Sequence, residues 1–406
     1  MSVPPLSSEK PHVELETSFS GAMTMLFAVA TGLIVTNLFA CQTLVGTLAV
    51  SFGFPPAYGS MVAMATLLGY ATGLFFLVPL ADLTENRALV LRMLSCGAAT
   101  ALIASVTSSG WLFISLLFLL GAACSCIQIL VPIAASMAPP EQRGRVIGNV
   151  MSGLMVGILL SRPVAGIIAD TWGWRSFYQI SGAAMVLLIC LLWKFLPERR
   201  PVGSLPYSAL IASLWQLMRN EPVLRSSAFS AAMVMASFSL FWTAVALRLA
   251  TSPFNLAPNG IAVFALVGAG GAAVTPLVGR LGDLGHGRMI KIISHFLVIV
   301  AALLALCAGS SHTVSPWPAL LLLGLAAIVL DVGTTGDQTL GRRDINLLRP
   351  EARGRLNGVF VGTFFVGGAL GSALAGAAWS VGGWELVCFC LAGFGFLALV
   401  TDFVRR

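Results

Sequence analysis

The stretch VPLADLTENR, residues 78–87, lies at the end of a long apolar run, and GRLGDLGHGR, residues 279–288, lies at the end of another. Four positions of the first stretch recur 201 residues later in the second: Leu80, Asp82, Leu83 and Arg87 match Leu281, Asp283, Leu284 and Arg288. A second set recurs 210 residues later: Gln128, Arg143, Gly144, Arg145, Gly148, Gly157 and Trp174 match Gln338, Arg353, Gly354, Arg355, Gly358, Gly367 and Trp384. Matches at a nearly constant offset predict a duplicated structural unit.

The composition around these copies is that of a membrane protein. The 406 residues are 57% hydrophobic and only 10% charged, whereas a soluble chain is about 25% charged. The mean hydropathy is +0.92. The 42 glycines suit transmembrane helices, in which small residues let backbones approach closely. A water-soluble globular fold and a disordered chain are both excluded.

Apolar runs long enough to span a bilayer as helices, about 20 residues each, recur along the chain. Twelve are predicted, at about 20 to 44, 58 to 81, 88 to 108, 111 to 137, 146 to 169, 175 to 196, 226 to 250, 258 to 279, 289 to 309, 318 to 347, 356 to 379 and 384 to 404. The predicted fold is therefore an all-α integral membrane protein with twelve transmembrane helices in two pseudo-symmetric six-helix bundles.

The boundaries follow from the polar breaks. We predict a tail at 1–19, an N-terminal bundle at 20–196, a linker at 197–225 and a C-terminal bundle at 226–404. The linker contains an amphipathic stretch around Tyr207 to Met218, which is typical of a helix on the membrane surface.

Basic residues set the predicted orientation. With these spans, all 23 Lys and Arg except Arg162, Arg175 and Arg248 fall on one side. The positive-inside bias places that side and both termini in the cytoplasm, so we expect a multi-pass protein of the cell (inner) membrane. The net charge of +7 follows from this bias and does not indicate a nucleic-acid partner.

Motifs for other chemistry are missing from the sequence. All eight cysteines lie within apolar runs, so neither a disulfide framework nor a zinc site is predicted. There is no Gly-x-x-x-x-Gly-Lys-Ser/Thr phosphate loop and no His-Glu-x-x-His motif, and the four histidines are scattered. We therefore expect no ATP-driven pump, no enzyme, no cofactor and no metal.

Two six-helix halves with an acidic-basic motif after the second helix of each resemble the major facilitator superfamily. The family motif is Gly-x-Leu-x-Asp-Arg-x-Gly-x-Arg. The second copy keeps its first Gly, its Leu, its Asp and its last Arg as Gly279, Leu281, Asp283 and Arg288, and the first copy keeps Leu80, Asp82 and Arg87.

Predicted helix 5 adds to the resemblance. Its run from Ser161 to Gly166 is similar to the glycine-proline motif of the family's proton-coupled exporters, with Arg162 standing where that motif has proline. Together with Val131-Pro132 and Arg143-Gly144-Arg145, this run most resembles a bacterial branch described as arabinose-efflux-like or multidrug-efflux-like.

The resemblance implies alternating access, in which the two halves rock about a central cavity. A switch of this kind needs contacts that differ between the two states. The predicted switch residues are the charged members of the repeated motifs: Asp82, Arg87, Asp283, Arg288, Arg143, Arg145, Arg353 and Arg355. The alternative is that these charges only anchor helix ends at the membrane interface.

Two charges inside the predicted spans are the main functional candidates, because charge within a membrane is costly. Arg162 lies beyond the middle of helix 5, and Asp331 lies near the middle of helix 10, where it is the only carboxylate that we place near mid-membrane. We predict Asp331 as the proton-coupling site and Arg162 as its modulator or an anion-binding group. The alternative is a structural role, with Asp331 satisfied by Arg162 or by the hydroxyls of Thr334 and Thr335.

Thr335, Gln338 and Arg342 follow Asp331 at steps of four, three and four residues. Such steps place side chains on one face of a helix, so these residues form a polar stripe on helix 10. The resemblance implies that helices 1, 4, 7 and 10 line the cavity. The predicted substrate contacts on them are Asn37, Cys41, Gln128, Phe238, Trp242, Thr335, Gln338 and Arg342. Aromatic walls with a few polar groups suit an amphiphilic organic molecule. Ordinary packing is the alternative for each residue, and His295 of helix 9 is expected to be partly buried and away from the cavity.

The sequence therefore predicts a secondary transporter that exports a small organic compound in exchange for protons. One alternative is a proton symporter or facilitator that takes up a sugar or an organic acid held by Arg162. Another is a non-transporting receptor on the same fold. The expected partners are the small-molecule substrate, protons and the lipid bilayer, and the protein is expected to be a monomer.

Overall fold

The computed structural model describes residues 21–201, 206–268, 271, 274–310, 316–349 and 352–404. Within these ranges the chain is helical between short turns and contains no strand. The predicted tail at 1–19 lies outside the described residues. The all-α fold is as predicted, and its helices are labelled α1 to α12 below, with the linker helix named separately.

The N-terminal bundle consists of α1 to α6, whose bounds are Gly21–Phe52, Met61–Phe76, Asn86–Val106, Gly110–Cys124 with Ile127–Met137, Arg143–Trp172 and Trp174–Phe195. The fourth helix is interrupted at Ser125 and Cys126. Gly173 separates α5 from α6 at a φ of 83°, a conformation that glycine adopts without the steric cost of a side chain.

The C-terminal bundle consists of α7 to α12. The first four have the bounds Pro222–Ala250, Pro258–Ala265 with Thr275–Leu281, Gly287–Ser310 and Trp317–Asn346. The last two lie within Arg353–Val404, where non-helical angles at Gly382 and Gly383 divide α11, at 353–381, from α12, at 384–404. By length and composition alone, ten helical segments of the described chain can cross a membrane. Two of them combine elements that are labelled separately above: α11 with α12, and the second part of α8 with α9.

Glycine lets the fifth helix of each bundle pack directly on the first. A Cβ atom at Gly157 of α5 would overlap the carbonyl oxygen of Gly32 in α1. A Cβ atom at Gly367 of α11 would overlap the carbonyl oxygen of Ala232 in α7. Gly157 and Gly367 are the same position of the sequence repeat, so the duplication preserves this close helix contact in both halves.

The linker helix, Tyr207–Asn220, is amphipathic. It buries Leu210, Leu214 and Leu217, while Trp215 is 71% exposed. The Tyr207 hydroxyl donates a hydrogen bond of 2.8 Å to the carbonyl of Phe76, at the end of α2. The linker helix therefore lies beside the end of α2.

One end of the molecule carries Arg87, Arg143, Arg145, Arg353 and Arg355, and we call it the arginine-rich end. The two bundles meet at the opposite end. At the opposite end, Ser60 Oγ donates a hydrogen bond of 3.5 Å to the carbonyl of Ala373 in α11. A Cβ atom at Gly166 of α5 would lie 2.7 Å from the Cβ of Ala262 in α8.

Toward the arginine-rich end, α5 and α11 have open space beside them. Cβ atoms added at Gly148 and Gly358, again equivalent positions of the repeat, would meet no atom within 4 Å. The two bundles still touch through α2 and α11, where the Phe75 ring fills the space beside Gly362. The bundles are thus in contact at one end, and at the other end Gly148 and Gly358 face open space.

Candidate functional site

Arg162 is the buried charge at the centre of the site. The close packing of α5 on α1 brings it against Gln42, whose Oε1 accepts hydrogen bonds from Arg162 Nε at 3.0 Å and Nη2 at 2.9 Å. Only 4% of Arg162 is exposed and none of Gln42. The sequence analysis did not predict this contact between Gln42 and Arg162.

Three aromatic rings surround the Arg162 guanidinium. Its central carbon lies 4.5 Å from the ring centroid of Trp242, 5.2 Å from that of Phe238 and 5.4 Å from that of Phe39. Phe238 and Trp242 belong to α7, so a cation of the N-terminal bundle is held by rings of the C-terminal bundle. A desolvated cation over an aromatic face gains about 2 kcal/mol.

Asp331 is linked to the same arginine through Trp242. The indole Nε1 of Trp242 donates a hydrogen bond of 3.1 Å to Asp331 Oδ1, while the face of the same ring contacts Arg162. Asp331 is 8% exposed, and none of the ion pairs described joins it to Arg162 within 4.0 Å. The Thr334 hydroxyl donates to the carbonyl of Leu330, so it does not satisfy Asp331 as the structural alternative supposed.

Gly268 and Gly271, which lie between the two parts of α8, bring the backbone close to Asp331. A Cβ atom at Gly268 would lie 2.6 Å from Asp331 Oδ2, and one at Gly271 would overlap the Asp331 side chain. Glycine at these two positions is therefore needed for the backbone to approach this carboxylate so closely.

The other predicted substrate contacts fall into two groups. Thr335, Gln338 and Arg342 continue from Asp331 along α10 and are half-buried. Gln128 donates a hydrogen bond of 3.2 Å to the Tyr70 hydroxyl in α2.

The predicted contacts on α1 face other helices of the N-terminal bundle. Asn37 Oδ1 accepts a hydrogen bond of 2.6 Å from Ser181 of α6. Cys41 Sγ lies 3.7 Å from the Thr66 hydroxyl of α2. The Asn37 side chain therefore contributes to the packing of α1 on α6. Cys41 lies one helical turn further along α1 and contacts α2 instead.

The predicted switch residues lie at the arginine-rich end with partners that the sequence did not indicate. Arg87 lies 3.6 Å from Glu198 and also donates to the carbonyl of Trp193. Asp283 pairs with Arg343 at 3.2 Å. Asp82 and Arg288 are exposed.

The repeated Arg-Gly-Arg positions have matching roles. Arg143 Nε donates to the carbonyl of Ala138 at 3.3 Å, and Arg353 Nε donates to the carbonyl of Asn346 at 3.1 Å. Each bond ties the start of a fifth helix to the end of the preceding one. Arg145 is exposed, and Arg355 is half-buried.

A buried polar cluster that the sequence interpretation missed lies within the C-terminal bundle. His295 is fully buried, not partly, and it contacts Asp337 and Asp402, which are 1% and 5% exposed. Asp331 is therefore not the only deeply buried carboxylate. Asp337, His295 and Asp402 interrupt apolar stretches of α10, α9 and α12, and that pattern is a signal that the sequence did contain.

Comparisons with known proteins agree with this architecture. A family model described as Major Facilitator Superfamily matches residues 19–337. The chain is 35% identical over 392 residues to the uncharacterized transporter YgaY of Escherichia coli O157:H7, covering 97% of this chain and 96% of that protein. It is 23% identical over 249 residues to the inner membrane transport protein YnfM of Escherichia coli strain K12, covering 60% of this chain and 59% of that protein.

Solved structures share the fold at low sequence identity. The nucleoside transporter NupG superposes with a TM-score of 0.70 at 15% identity, over 94% of this chain and 98% of that one. A POT family transporter in complex with 5-aminolevulinic acid superposes with a TM-score of 0.72 at 11% identity, over 94% and 95%. At such identities the likeness shows the fold alone.

Proposed function

Because the chain belongs to the major facilitator superfamily and is a multi-pass membrane transporter, we propose that it exports a small organic compound in exchange for protons by alternating access. The arabinose-efflux-like or multidrug-efflux-like branch is part of this proposal. The site at Arg162, Trp242 and Asp331 supports it through three physical steps.

The first step concerns the contact between the bundles. Arg162 belongs to α5, and the rings of Phe238 and Trp242 that hold it belong to α7. Rocking the bundles apart at this level separates the guanidinium from those rings, so the contact differs between the two states. A contact that differs between states is what a transport switch requires.

The second step concerns the proton. Trp242 holds Asp331 by its Nε1 and Arg162 by its ring face, so the carboxylate and the guanidinium share one side chain. Protonation of Asp331 removes the negative charge that favours a buried Arg162 and weakens the hydrogen bond to Trp242. Proton binding thereby biases the same contact that rocking the bundles would break.

The third step concerns the substrate. Phe39, Phe238 and Trp242 supply aromatic walls, and Thr335 and Gln338 supply polar groups along α10. Such a mixture suits an amphiphilic organic molecule rather than a bare ion. Binding between the bundles is expected to involve these residues together with Gln128 and Arg342.

The proposed orientation places the arginine-rich end in the cytoplasm of a bacterial inner membrane, by the positive-inside bias. The closed contacts at Ser60 with Ala373 and at Gly166 with Ala262 then face outward. In this proposal the open space beside Gly148 and Gly358 faces the cytoplasm, from which an exporter receives its substrate.

The test is transport in proteoliposomes with an imposed pH gradient and a broad panel of compounds. We expect the wild type to move at least one amphiphilic compound against its gradient, and Asp331→Asn to lose the dependence on the pH gradient. The matched control is Asp170→Asn, because Asp170 is an exposed carboxylate on α5. Full gradient dependence in Asp331→Asn contradicts the proposal.

A second candidate is uptake of an organic acid by symport or facilitated diffusion. The observation that favours it is that Arg162 hydrogen-bonds to a neutral amide, Gln42, and so retains capacity to bind an anion. In the same proteoliposomes, uptake of an organic acid that moves with protons and is lost in Arg162→Ala would favour this candidate over export.

A further inference from the structure

His295 of α9 lies between two carboxylates that approach both of its ring nitrogens. Nδ1 is 2.7 Å from Asp402 Oδ2 of α12, and Nε2 is 2.9 Å from Asp337 Oδ1 of α10. The imidazole is fully buried, and the two carboxylates are 1% and 5% exposed. The three groups therefore form a hydrogen-bonded chain that joins α10, α9 and α12 inside the C-terminal bundle.

Counting protons shows what this geometry requires. A neutral imidazole carries one N–H and so can donate to only one of two ionised carboxylates. Its other nitrogen would then face a carboxylate oxygen with no proton between them, which is repulsive at these distances. Both contacts become favourable when His295 holds a second proton, because each ring nitrogen then donates to a carboxylate.

The surrounding groups set the charge balance of the cluster. Lys291, one turn before His295 on α9, places Nζ 3.8 Å from Asp337 Oδ1. Ser230 of α7 is the group from the remaining neighbouring helix, with Oγ 2.8 Å from Asp337 Oδ1 and 2.8 Å from His295 Nε2. With Lys291 and an imidazolium facing two carboxylates, the cluster is neutral, and loss of the proton leaves a buried negative charge.

One atom of the cluster has no partner. Asp337 Oδ2 is buried and accepts no hydrogen bond within the described part of the chain. A buried carboxylate oxygen of this kind is costly unless it is protonated or solvated. It is therefore an additional place where a proton can reside.

We propose that His295, Asp337 and Asp402 form a proton-binding site inside the C-terminal bundle, with Lys291 as its counter-charge. The site is separate from Asp331, which lies six residues before Asp337 on α10, or about 9 Å along the helix axis. It lies between Asp331 and the arginine-rich end. A proton held there is close enough for its charge to change the proton affinity of Asp331.

The test is a pH titration of the histidine ring by ¹⁵N NMR on the full-length protein in lipid nanodiscs. His12, His286 and His312 are replaced by Gln, so that His295 gives the only histidine signal. We expect both ring nitrogens to be protonated at neutral pH and one proton to leave as the pH rises. A ring with one protonated nitrogen at neutral pH, unchanged on acidification, overturns the proposal.

Asp402→Asn in the same background provides the second arm, since asparagine keeps the shape and removes the negative charge. Its titration midpoint is expected to fall by about one pH unit or more, the usual effect of removing an adjacent opposite charge. Asp170→Asn is the matched control and is expected to leave the midpoint unchanged. Equal midpoints in wild type and Asp402→Asn contradict the assignment.

The outcome is independent of the proposal for Asp331. The NMR titration requires no substrate, so it can fail while the pH-gradient assay of Asp331→Asn succeeds, and the reverse also holds. If both hold, Asp402→Asn is expected to shift the pH at which transport is half-maximal while keeping the dependence on the pH gradient.

Discussion

At the scale of single residues, Trp242 is the side chain that joins the two charges of the centre. Its ring contacts the Arg162 guanidinium at 4.5 Å, and its Nε1 donates to Asp331. The ring and the N–H can be separated by substitution, because phenylalanine keeps an aromatic face and has no donor. Trp242 is therefore the residue at which cation–π contact and hydrogen bonding can be measured apart.

We predict that Trp242→Phe reduces the dependence of transport on the pH gradient while substrate binding falls little. The lost hydrogen bond to a buried carboxylate is expected to lower stability by about 1.5 to 3 kcal/mol. The measurements are proteoliposome flux and thermal unfolding. Trp215→Phe on the linker helix is the control, because Trp215 is 71% exposed. If Trp242→Phe keeps the wild-type dependence on the pH gradient, Trp242 does not link Asp331 to Arg162 during transport.

At the scale of helices, the contacts between α1 and α5 and between α7 and α11 depend on the absence of side chains. Gly157 and Gly367 each lie against a backbone carbonyl of the first helix in their half. An added methyl group there collides with backbone, which cannot move aside as a flexible side chain can. The same contact positions Gln42 against Arg162, so helix packing and the site are connected.

We predict that Gly157→Ala and Gly367→Ala each destabilise the protein by about 1 to 3 kcal/mol, the usual cost of overpacking. Gly148→Ala of α5 is the control, since a Cβ there meets no atom within 4 Å. The measurement is the unfolding midpoint of the purified variants in detergent. If Gly148→Ala and Gly157→Ala unfold at the same temperature, the close packing of α5 on α1 is not what holds these helices.

At the scale of the whole molecule, the bundles are in contact at one end, whereas α5 and α11 have free space at the other. Ser60 and Ala373 approach across the closed end, and Gly148 and Gly358 face open space near the arginine-rich end. Alternating access requires that the closed end opens in another state. Holding that end shut should therefore stop turnover without preventing binding from the open end.

We predict that Ser60→Cys with Ala373→Cys, in a background without the eight native cysteines, loses most transport after treatment with a short bifunctional thiol reagent. Each single variant treated alike is the control and is expected to retain its flux. The measurement is proteoliposome transport, with cross-linking followed by limited proteolysis in the linker and gel mobility. Unchanged flux in the fully cross-linked protein would mean that this end does not open during transport.

The sequence by itself determined the helical membrane fold, the duplication and the burial of Arg162 and Asp331. These features depend on local hydrophobicity, on positions repeated at a fixed offset and on the high cost of charge in an apolar segment. The contact partners were decided only by the tertiary structure. Gln42 and Arg162 are 120 residues apart, Trp242 and Asp331 are 89 apart, and His295 and Asp402 are 107 apart. Such pairs depend on how each helix is oriented and packed against its neighbours, and a short-range sequence pattern does not determine that packing.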